Sequence, residues 1–158
     1  MNPTQLKFIQ QCYPLASMAG GAFDLNPTVI MAQSAIETGW GTSELCTRYC
    51  NYFGISAYGK KNVWWQGDYV ELDVNSIKFR RYPDASSSFM DYARLIRSAY
   101  PAAARVSNDP AAFAQSISYS HYISEVNGDN REQYRSTLVS ISRQIDKLIK
   151  KHKRSTSC

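Results

Sequence analysis

The sequence predicts an α+β domain in which several helices accompany one short β-rich insertion. Asn-Pro pairs at positions 2–3 and 26–27 are typical helix starts, because asparagine caps the first turn and proline suits the first helical position. Residues 51–82 instead carry short β-prone runs separated by turn pairs. The 158 residues are enough for one domain with its own hydrophobic core and too few for two domains of ordinary size.

The first predicted helix begins after Asn2, and its apolar residues recur at helical spacing. Pro14 lacks a backbone N–H, so we expect it to kink or interrupt this helix. We expect the pair Gly20-Gly21 to end it.

The second predicted helix begins at Pro27 and ends at Gly39, a residue type that favours the left-handed conformation of helix C-caps. A short third helix is predicted over residues 42–50. Its cap is Thr42 or Ser43, because both side chains can accept a hydrogen bond from the first turn.

Residues 51–82 predict a small antiparallel sheet or hairpin. Over residues 69–74, polar or aromatic side chains alternate with apolar ones, the period-two pattern of a half-buried strand. Short turn-forming stretches such as Gln-Gly-Asp and Val-Asn-Ser are predicted to connect the strands.

Helices return after the β-rich segment. Asp84 is predicted to cap one helix, and Asn108-Asp109-Pro110 to begin another. Asp129, with Glu132 three residues later, forms a capping-box pattern that opens a long final helix. The apolar stripe of that helix consists of Leu138, Ile141, Ile145 and Leu148.

We predict a single domain over residues 1–145, with its β lobe at about 51–82, followed by a basic tail over 146–158. The tail holds five cationic side chains against Asp146, a net charge of +4 out of +5 for the chain. Such a tail suits binding to nucleic acid, an anionic membrane or an anionic cell wall. The alternative is a solvated helix end whose lysines complement the helix dipole.

Several function classes find little support. No apolar stretch reaches the length of a membrane span, and the N-terminus lacks the pattern of a signal peptide. We expect neither metal nor cofactor, because the two histidines stand at no zinc-ligand spacing. The cysteines are expected to be unpaired; they are Cys12, Cys46, Cys50 and Cys158.

Glu37 is the candidate catalytic residue. It ends the apolar second helix, where the helix dipole and apolar neighbours favour a protonated carboxyl suited to general acid catalysis. Gly39 and Gly41 allow a sharp turn and close approach of a substrate. Trp40, between them, would pack under the helix or stack on a sugar. The alternative is an exposed glutamate at a helix end, with Trp40 in the core.

Three stretches together resemble the glucosaminidases of glycoside hydrolase family 73, the flagellar-type peptidoglycan hydrolases. They are AQSAIETGWGTS, NYFGISA and FRRYPDASSSFMDYARLI, and the resemblance extends from about Leu6 to Leu148. The matching residues are Ala32, Gln33, Glu37, Gly39, Trp40, Gly41, Ser43, Asn51, Phe53, Gly54, Ile55, Phe79, Arg80, Tyr82, Ser88, Phe89, Asp91 and Tyr92.

The resemblance implies a lysozyme-like fold, with a mostly helical lobe and a small β lobe flanking a cleft. It implies that Glu37 is the catalytic acid in hydrolysis of the β-1,4 bond after N-acetylglucosamine in bacterial peptidoglycan. Candidate substrate-binding residues are Gln33, Trp40, Asn51, Phe53, Trp65 and Tyr119.

The second catalytic group is left open by the resemblance. Some relatives carry a second glutamate after a Trp-x-Gly on the β lobe, and Glu71 is the best match here. Asp73 and Asp68 are alternatives, and the acetamido group of the substrate could replace an enzyme carboxylate.

The family also carries two tyrosines in the motif Gly-Tyr-Ala-Thr-Asp-Pro-x-Tyr, the first of which faces the acid across the cleft. Tyr122 best matches the first tyrosine and Tyr134 the second. The Thr-Asp-Pro is missing here, so Tyr119 remains an alternative for the first.

The leading hypothesis is therefore a peptidoglycan endo-β-N-acetylglucosaminidase. Alternatives are an N-acetylmuramidase, a non-catalytic peptidoglycan-binding module and a nucleic-acid binder that uses the basic tail. We expect a monomer that acts on glycan strands of the wall, in the periplasm or outside the cell, without nucleic acid or stable membrane insertion. Without a visible signal, it would arrive as a phage lysin, a secreted effector or part of a longer protein.

Overall fold

The computed structural model describes residues 1–72, 77–124 and 130–157. It confirms an α+β architecture in which helices predominate and two short strands form one sheet. In chain order the elements are α1 (Pro3–Phe23), α2 (Pro27–Thr38), α3 (Glu44–Tyr49), β1 (Tyr69–Glu71), β2 (Lys78–Arg80), α4 (Ala85–Ala99), α5 (Pro101–Arg105), α6 (Pro110–Ser118) and α7 (Arg131–Thr156).

The first helix is longer than predicted. Asn2 caps it as expected, through a reciprocal capping box with Gln5. Of the two predicted effects of Pro14, a kink or an interruption, the interruption is wrong, because α1 continues to Phe23. One face of the helix is buried on both sides of Pro14, so packing outweighs the lost hydrogen bond; its buried residues are Phe8, Ile9, Cys12, Ala16, Ala19 and Gly20.

Gly20 lies inside the helix and does not end it. A Cβ at this position would come within 2.4 Å of the carbonyl oxygen of Leu25, so only glycine lets the returning chain pass this closely. The helix ends instead at Phe23, with Asp24 in the left-handed conformation (φ 55°).

Helix α2 forms the centre of the core, and every residue from Thr28 to Ala35 is buried. Its boundaries agree with the prediction, since Asn26 caps its start and Gly39 adopts the left-handed conformation (φ 57°) after its last turn. Ser43, one of the two predicted residues, caps α3. Helices α1 and α7 both pack against α2.

The predicted antiparallel sheet is confirmed. β1 pairs with β2 in a register that places Val70 opposite Phe79 and Glu71 opposite Lys78. The predicted continuation of the strand through Asp73 and the turn at 74–76 lie outside the described residues.

The carboxylate of Asp91, on α4, ties the β region to the helices. Its side chain is completely buried, and it accepts hydrogen bonds from Arg80 (2.7 Å), Tyr82 (2.5 Å), Asn62 (2.8 Å) and Arg94 (2.9 Å). Burial alone would raise the pKa of Asp91, but the Tyr82 and Arg94 hydrogen bonds and the Arg80 charge hold it below its ordinary value. The carboxylate is therefore ionised and fully paired.

The later helices follow the predicted caps with one shift. Asp84 and Asp109 cap α4 and α6 as predicted, whereas α5 was not predicted. Asp129 lies outside the described residues, and the N-cap of α7 is Asn130, whose side chain accepts from the N–H of Gln133 at 2.9 Å. The predicted start is therefore displaced by one residue.

Helix α7 continues past residue 145 to Thr156, so the basic segment is helical over its described part. Leu148 and Ile149 pack against the core, which holds this extension on the domain. In the described ranges, no helix combines the length and hydropathy needed to cross a bilayer. The thiols of Cys12, Cys46 and Cys50 are free, as predicted, and Cys158 lies outside the described residues.

Candidate active site

Glu37 lies in the last turn of α2 and lines a cleft of about 390 Å³. The wall of the cleft includes the turn at residues 53–56, the segment that follows α6, and α7. Three tyrosines contribute to it, Tyr100, Tyr122 and Tyr134. The carboxyl is half-buried, so it is reachable from the cleft yet shielded on its inner side.

A row of hydrogen bonds lies behind this carboxyl. The hydroxyl of Tyr134 donates to Glu37 Oε1 at 3.2 Å, and Gln33 Nε2 donates to the Tyr134 oxygen at 3.1 Å. The hydroxyl of Tyr92 donates in turn to Gln33 Oε1. Gln33 is fully buried, so its side chain supports the site from within the core and does not face solvent.

The turn opposite Glu37 is built by Asn51. Its buried amide accepts from the N–H groups of Phe53 and Ile55, both at 3.2 Å, and donates to the carbonyl of Arg80 at 2.9 Å. These bonds hold Gly54 in the left-handed conformation (φ 66°), which glycine adopts without strain. Asn51 therefore shapes the cleft wall through the backbone.

Phe53 fixes the same turn to the helical core. Its ring stacks on Tyr92 with centroids 3.8 Å apart and planes 9° from parallel. It is almost completely buried, although it reaches the cleft wall. The stacked pair joins the turn to the hydrogen bonds behind Glu37.

Tyr122, the best match to the first tyrosine of the family motif, lines the same cleft as Glu37. Its ring meets that of Tyr100 edge to face, with centroids 5.6 Å apart. Burial, followed by the nearby charge of Glu37, raises the pKa of Tyr122 well above its ordinary value. Its hydroxyl is therefore neutral at physiological pH and can donate a hydrogen bond into the cleft.

The acidic residues of the β region are not gathered around Glu37. Glu71 is exposed on β1 and is not among the residues that line the Glu37 cleft. Asp68 is exposed and borders a separate polar pocket, and Asp73 lies outside the described residues. Trp65 is buried; its Nε1–H donates to the Asp68 carbonyl at 2.7 Å, and the Arg80 guanidinium lies 3.9 Å from its ring centroid.

Two other predicted residues lie outside the lining of the cleft. Trp40 packs edge to face on Phe8 of α1, with centroids 5.8 Å apart, and borders a separate groove. Tyr119 is 52% exposed, and its hydroxyl donates to Glu132 at 2.8 Å. Trp40 thus contributes to packing beneath the turn that follows α2.

The contact of Tyr134 with Glu37 was missed by the sequence analysis, which matched Tyr134 only to the second tyrosine of the family motif. The signal that could have found it is the position of Tyr134 early in the final helix, one turn before Leu138 of its apolar stripe. Within the described ranges, no cluster of three histidine, cysteine or acidic side chains could hold a metal ion.

The arrangement can carry out proton transfer. A carboxyl that faces a cleft and accepts a hydrogen bond from a neutral tyrosine can donate a proton and remain stabilised as a carboxylate afterwards. The aromatic walls suit the flat faces of sugar rings.

Comparison with known proteins agrees with this chemistry. Residues 13–147 match the glucosaminidase family, described as mannosyl-glycoprotein endo-beta-N-acetylglucosaminidase. The peptidoglycan hydrolase FlgJ of Vibrio parahaemolyticus is 29% identical over 133 residues, which cover 75% of this chain and 42% of that protein. The chain thus spans less than half the length of this curated relative.

Solved structures show the same fold. The glycoside hydrolase domain of Salmonella typhimurium FlgJ superimposes with a TM-score of 0.75 at 23% identity, covering 99% of this chain and 96% of that one. A peptidoglycan hydrolase from Sphingomonas sp. A1 gives a TM-score of 0.69 at 28% identity, covering 88% and 91%. The fold is therefore the lysozyme-like one that the motifs implied, and the chain belongs to the glucosaminidase family of glycoside hydrolases, family 73.

Proposed function

We propose that the protein is an endo-β-N-acetylglucosaminidase that hydrolyses the β-1,4 bond after N-acetylglucosamine in peptidoglycan glycan strands. The observation that carries this proposal is the Glu37 carboxyl, held by Tyr134 at the wall of a tyrosine-lined cleft. Membership of the glucosaminidase family supports the bond type, and relatives named peptidoglycan hydrolases support the polymer.

In this mechanism Glu37 is the general acid. Its proton passes to the glycosidic oxygen as the bond to the sugar carbon breaks, so the leaving sugar departs as a neutral alcohol. A water molecule supplies the hydroxyl that completes the new reducing end. The remaining proton of that water passes to solvent, and Glu37, left as a carboxylate, takes up a proton again before the next turnover.

A second group must support the positive charge that develops on the sugar. We assign this role to Tyr122, because it lines the same cleft as Glu37 and its neutral hydroxyl can orient the acetamido group of the substrate or the attacking water. Glu71 is exposed and outside the lining of the cleft, so its participation would need the β lobe to approach Glu37.

The protein is proposed to act on the wall as a monomer, with the basic end of α7 favouring contact with an anionic surface. Support for the anionic contact comes from the charge of the segment, which keeps its cationic side chains exposed from Lys150 to Arg154. The proposed site of action is the periplasm or the outside of the cell.

Mass spectrometry of digestion products tests the bond. Purified peptidoglycan is digested, the new reducing ends are reduced with borohydride, and the terminal sugars are identified. Reduced N-acetylglucosamine at the new ends is expected. Muramitol there would make the protein an N-acetylmuramidase, and the absence of any new reducing end would favour a non-catalytic binding module.

A further inference from the structure

The hydrogen bonds behind Glu37 all run in one direction. Tyr92 donates to the carbonyl oxygen of Gln33, the amide nitrogen of Gln33 donates to Tyr134, and Tyr134 donates to Glu37 Oε1. Tyr92 and Gln33 are fully buried, and Gln33 lies one helical turn before Glu37 on α2. The row therefore begins in the core and ends at the candidate acid.

We propose that this row of donors selects Oε2 of Glu37 as the oxygen that carries the catalytic proton, with Tyr134 as a positioning residue that is itself oriented by Gln33 and Tyr92. The proposal rests on the proposed function of Glu37 as general acid.

The selection of Oε2 follows from the number of protons available. A tyrosine hydroxyl has one proton, and Tyr134 gives it to Oε1 of Glu37 while its oxygen receives the Gln33 N–H. Oε1 is thus an acceptor, and the acidic proton of the neutral carboxyl belongs on Oε2. Oε2 lies 3.5 Å from the point where a Cβ of residue 54 would sit, so a side chain at that position would be in van der Waals contact with this oxygen.

The orientation of Gln33 is set by Tyr92. An amide side chain can be flipped in a site, but a hydroxyl that donates to one end fixes that end as the carbonyl oxygen. Tyr92 is held by the stacked ring of Phe53. Burial raises the pKa of Tyr92 well above its ordinary value, so it remains a donor across the working pH range.

The row of donors also has an electrostatic effect. A hydrogen bond donated to a carboxylate is stronger than one donated to the neutral acid, so it stabilises the charge that Glu37 gains as it releases its proton. Tyrosines of three elements interact with this carboxyl: Tyr134 on α7 donates to it, and its charge raises the pKa of Tyr92 on α4 and of Tyr122 after α6. Removing the Tyr134 hydroxyl should therefore make Glu37 harder to ionise.

The first test is Tyr134→Phe, with Tyr13→Phe, another half-buried tyrosine, as the matched control. Carbon-13 NMR of the Glu37 side-chain carboxyl across pH reads its ionisation without needing activity. The pH dependence of kcat/KM on soluble glycan strands reads the same group in the reaction. A general acid is active when protonated, so the alkaline limb should move upward by about one pH unit and kcat should fall about tenfold.

The second test asks whether Gln33 acts through Tyr134. Gln33→Met keeps the length of the side chain but removes both hydrogen bonds, and Tyr92→Phe removes only the donor that orients the amide. Each should move the NMR midpoint in the same direction as Tyr134→Phe. Combining either with Tyr134→Phe should add nothing further, because the step through which it acts is already gone.

Three results would overturn the proposal: an unmoved Glu37 midpoint in folded Tyr134→Phe, additive shifts in the double variants, or the same shift in Tyr13→Phe. If Gln33→Met fails to fold, Tyr92→Phe alone decides whether the row acts through Tyr134. A fully active Glu37→Gln protein would instead overturn the proposed function, while the NMR midpoint would still decide the hydrogen-bonding proposal.

Discussion

Two carboxylates of this molecule differ in a way that separates chemistry from structure. Asp91 is completely buried and accepts from two arginines, a tyrosine and an asparagine. Glu37 is half-buried, faces a cleft and accepts from the neutral hydroxyl of Tyr134. Both belong to stretches that resemble the family, yet Asp91 is paired with two cationic side chains, whereas the proposed acid Glu37 accepts a hydrogen bond from a tyrosine hydroxyl.

The most direct way to break this comparison is Glu37→Gln. The amide keeps the size of the side chain but cannot donate the proton to the leaving sugar, and general acid catalysis contributes about 10²- to 10⁴-fold. We expect nearly complete loss of hydrolysis of purified peptidoglycan. The thermal midpoint should be unchanged or higher, since functional residues often reduce stability.

Glu44→Gln is the matched control for Glu37→Gln. Glu44 is an exposed glutamate on α3 that pairs with Arg48 on the surface, so its loss should leave hydrolysis near the wild-type rate. A folded Glu37→Gln protein that still clears cell walls at the wild-type rate would remove the basis of the catalytic assignment.

Asp91→Asn should lower stability more than activity, the opposite of Glu37→Gln. The substitution removes the charge that pairs with buried Arg80, and breaking a buried ion pair from one side costs about 3–5 kcal/mol. We expect a large drop in the free energy of unfolding, measured by urea titration, with hydrolysis per folded molecule much less affected than by Glu37→Gln. An unchanged unfolding midpoint would show that Asp91 does not hold the β region in place.

Acid titration sharpens the same contrast. The pKa of Asp91 is lower in the folded state than in the unfolded chain, where it is about 3.9. Ionised Asp91 therefore contributes fully to the free energy of unfolding above about pH 3.9. This contribution is lost as the pH falls through the lower pKa of the folded state. Wild-type stability to urea should therefore decline below about pH 4. Asp91→Asn should show a shallower decline over the same range; equal slopes would assign the acid sensitivity to other carboxylates.

Sequence reasoning found what local chemistry determines. The caps Asn2, Asn26 and Asp84 and the stop at Gly39 were all predicted, because each depends on a side chain's own backbone neighbours. The helix pattern and the Gly39 stop placed Glu37 at the end of α2, and the structure puts it on the wall of a cleft.

What sequence reasoning missed depends on contacts between distant segments. The uninterrupted course of α1 through Pro14 reflects burial on both sides of it. Gln33 was predicted to bind substrate, but its side chain is buried in the core. Its hydrogen-bond partners Tyr92 and Tyr134 lie 59 and 101 residues further along the chain. Neither spacing nor periodicity reports such pairings.

A smaller effect should separate the two candidates for the second catalytic group. Tyr122→Phe removes the hydroxyl of a tyrosine that lines the cleft, and loss of one hydrogen bond to a neutral group corresponds to about tenfold at most. Glu71→Gln changes an exposed residue outside the cleft lining and should cost less than Glu37→Gln. Initial rates on the same peptidoglycan compare them. A loss in Glu71→Gln as deep as in Glu37→Gln would mean that the β lobe closes onto the cleft during the reaction.

The smallest expected effect concerns the basic end of α7. Truncation after Ile145 would remove Leu148 and Ile149, which pack on the core, so neutralisation is the cleaner change. Glutamine replaces the cations of this segment, namely Lys147, Lys150, Lys151, Lys153 and Arg154.

Neutralisation should weaken co-sedimentation with cell walls severalfold at low salt and hardly at all at about 1 M salt. The reason is screening, because the Debye length is about 10 Å at 0.1 M and about 3 Å at 1 M. Turnover of short soluble glycans should not change, because the segment is not part of the Glu37 cleft. The matched control is Lys60 and Lys61 to glutamine, two exposed lysines of the β region. If the neutralised protein keeps the wild-type salt profile, the segment is a solvated helix end whose lysines serve the helix dipole.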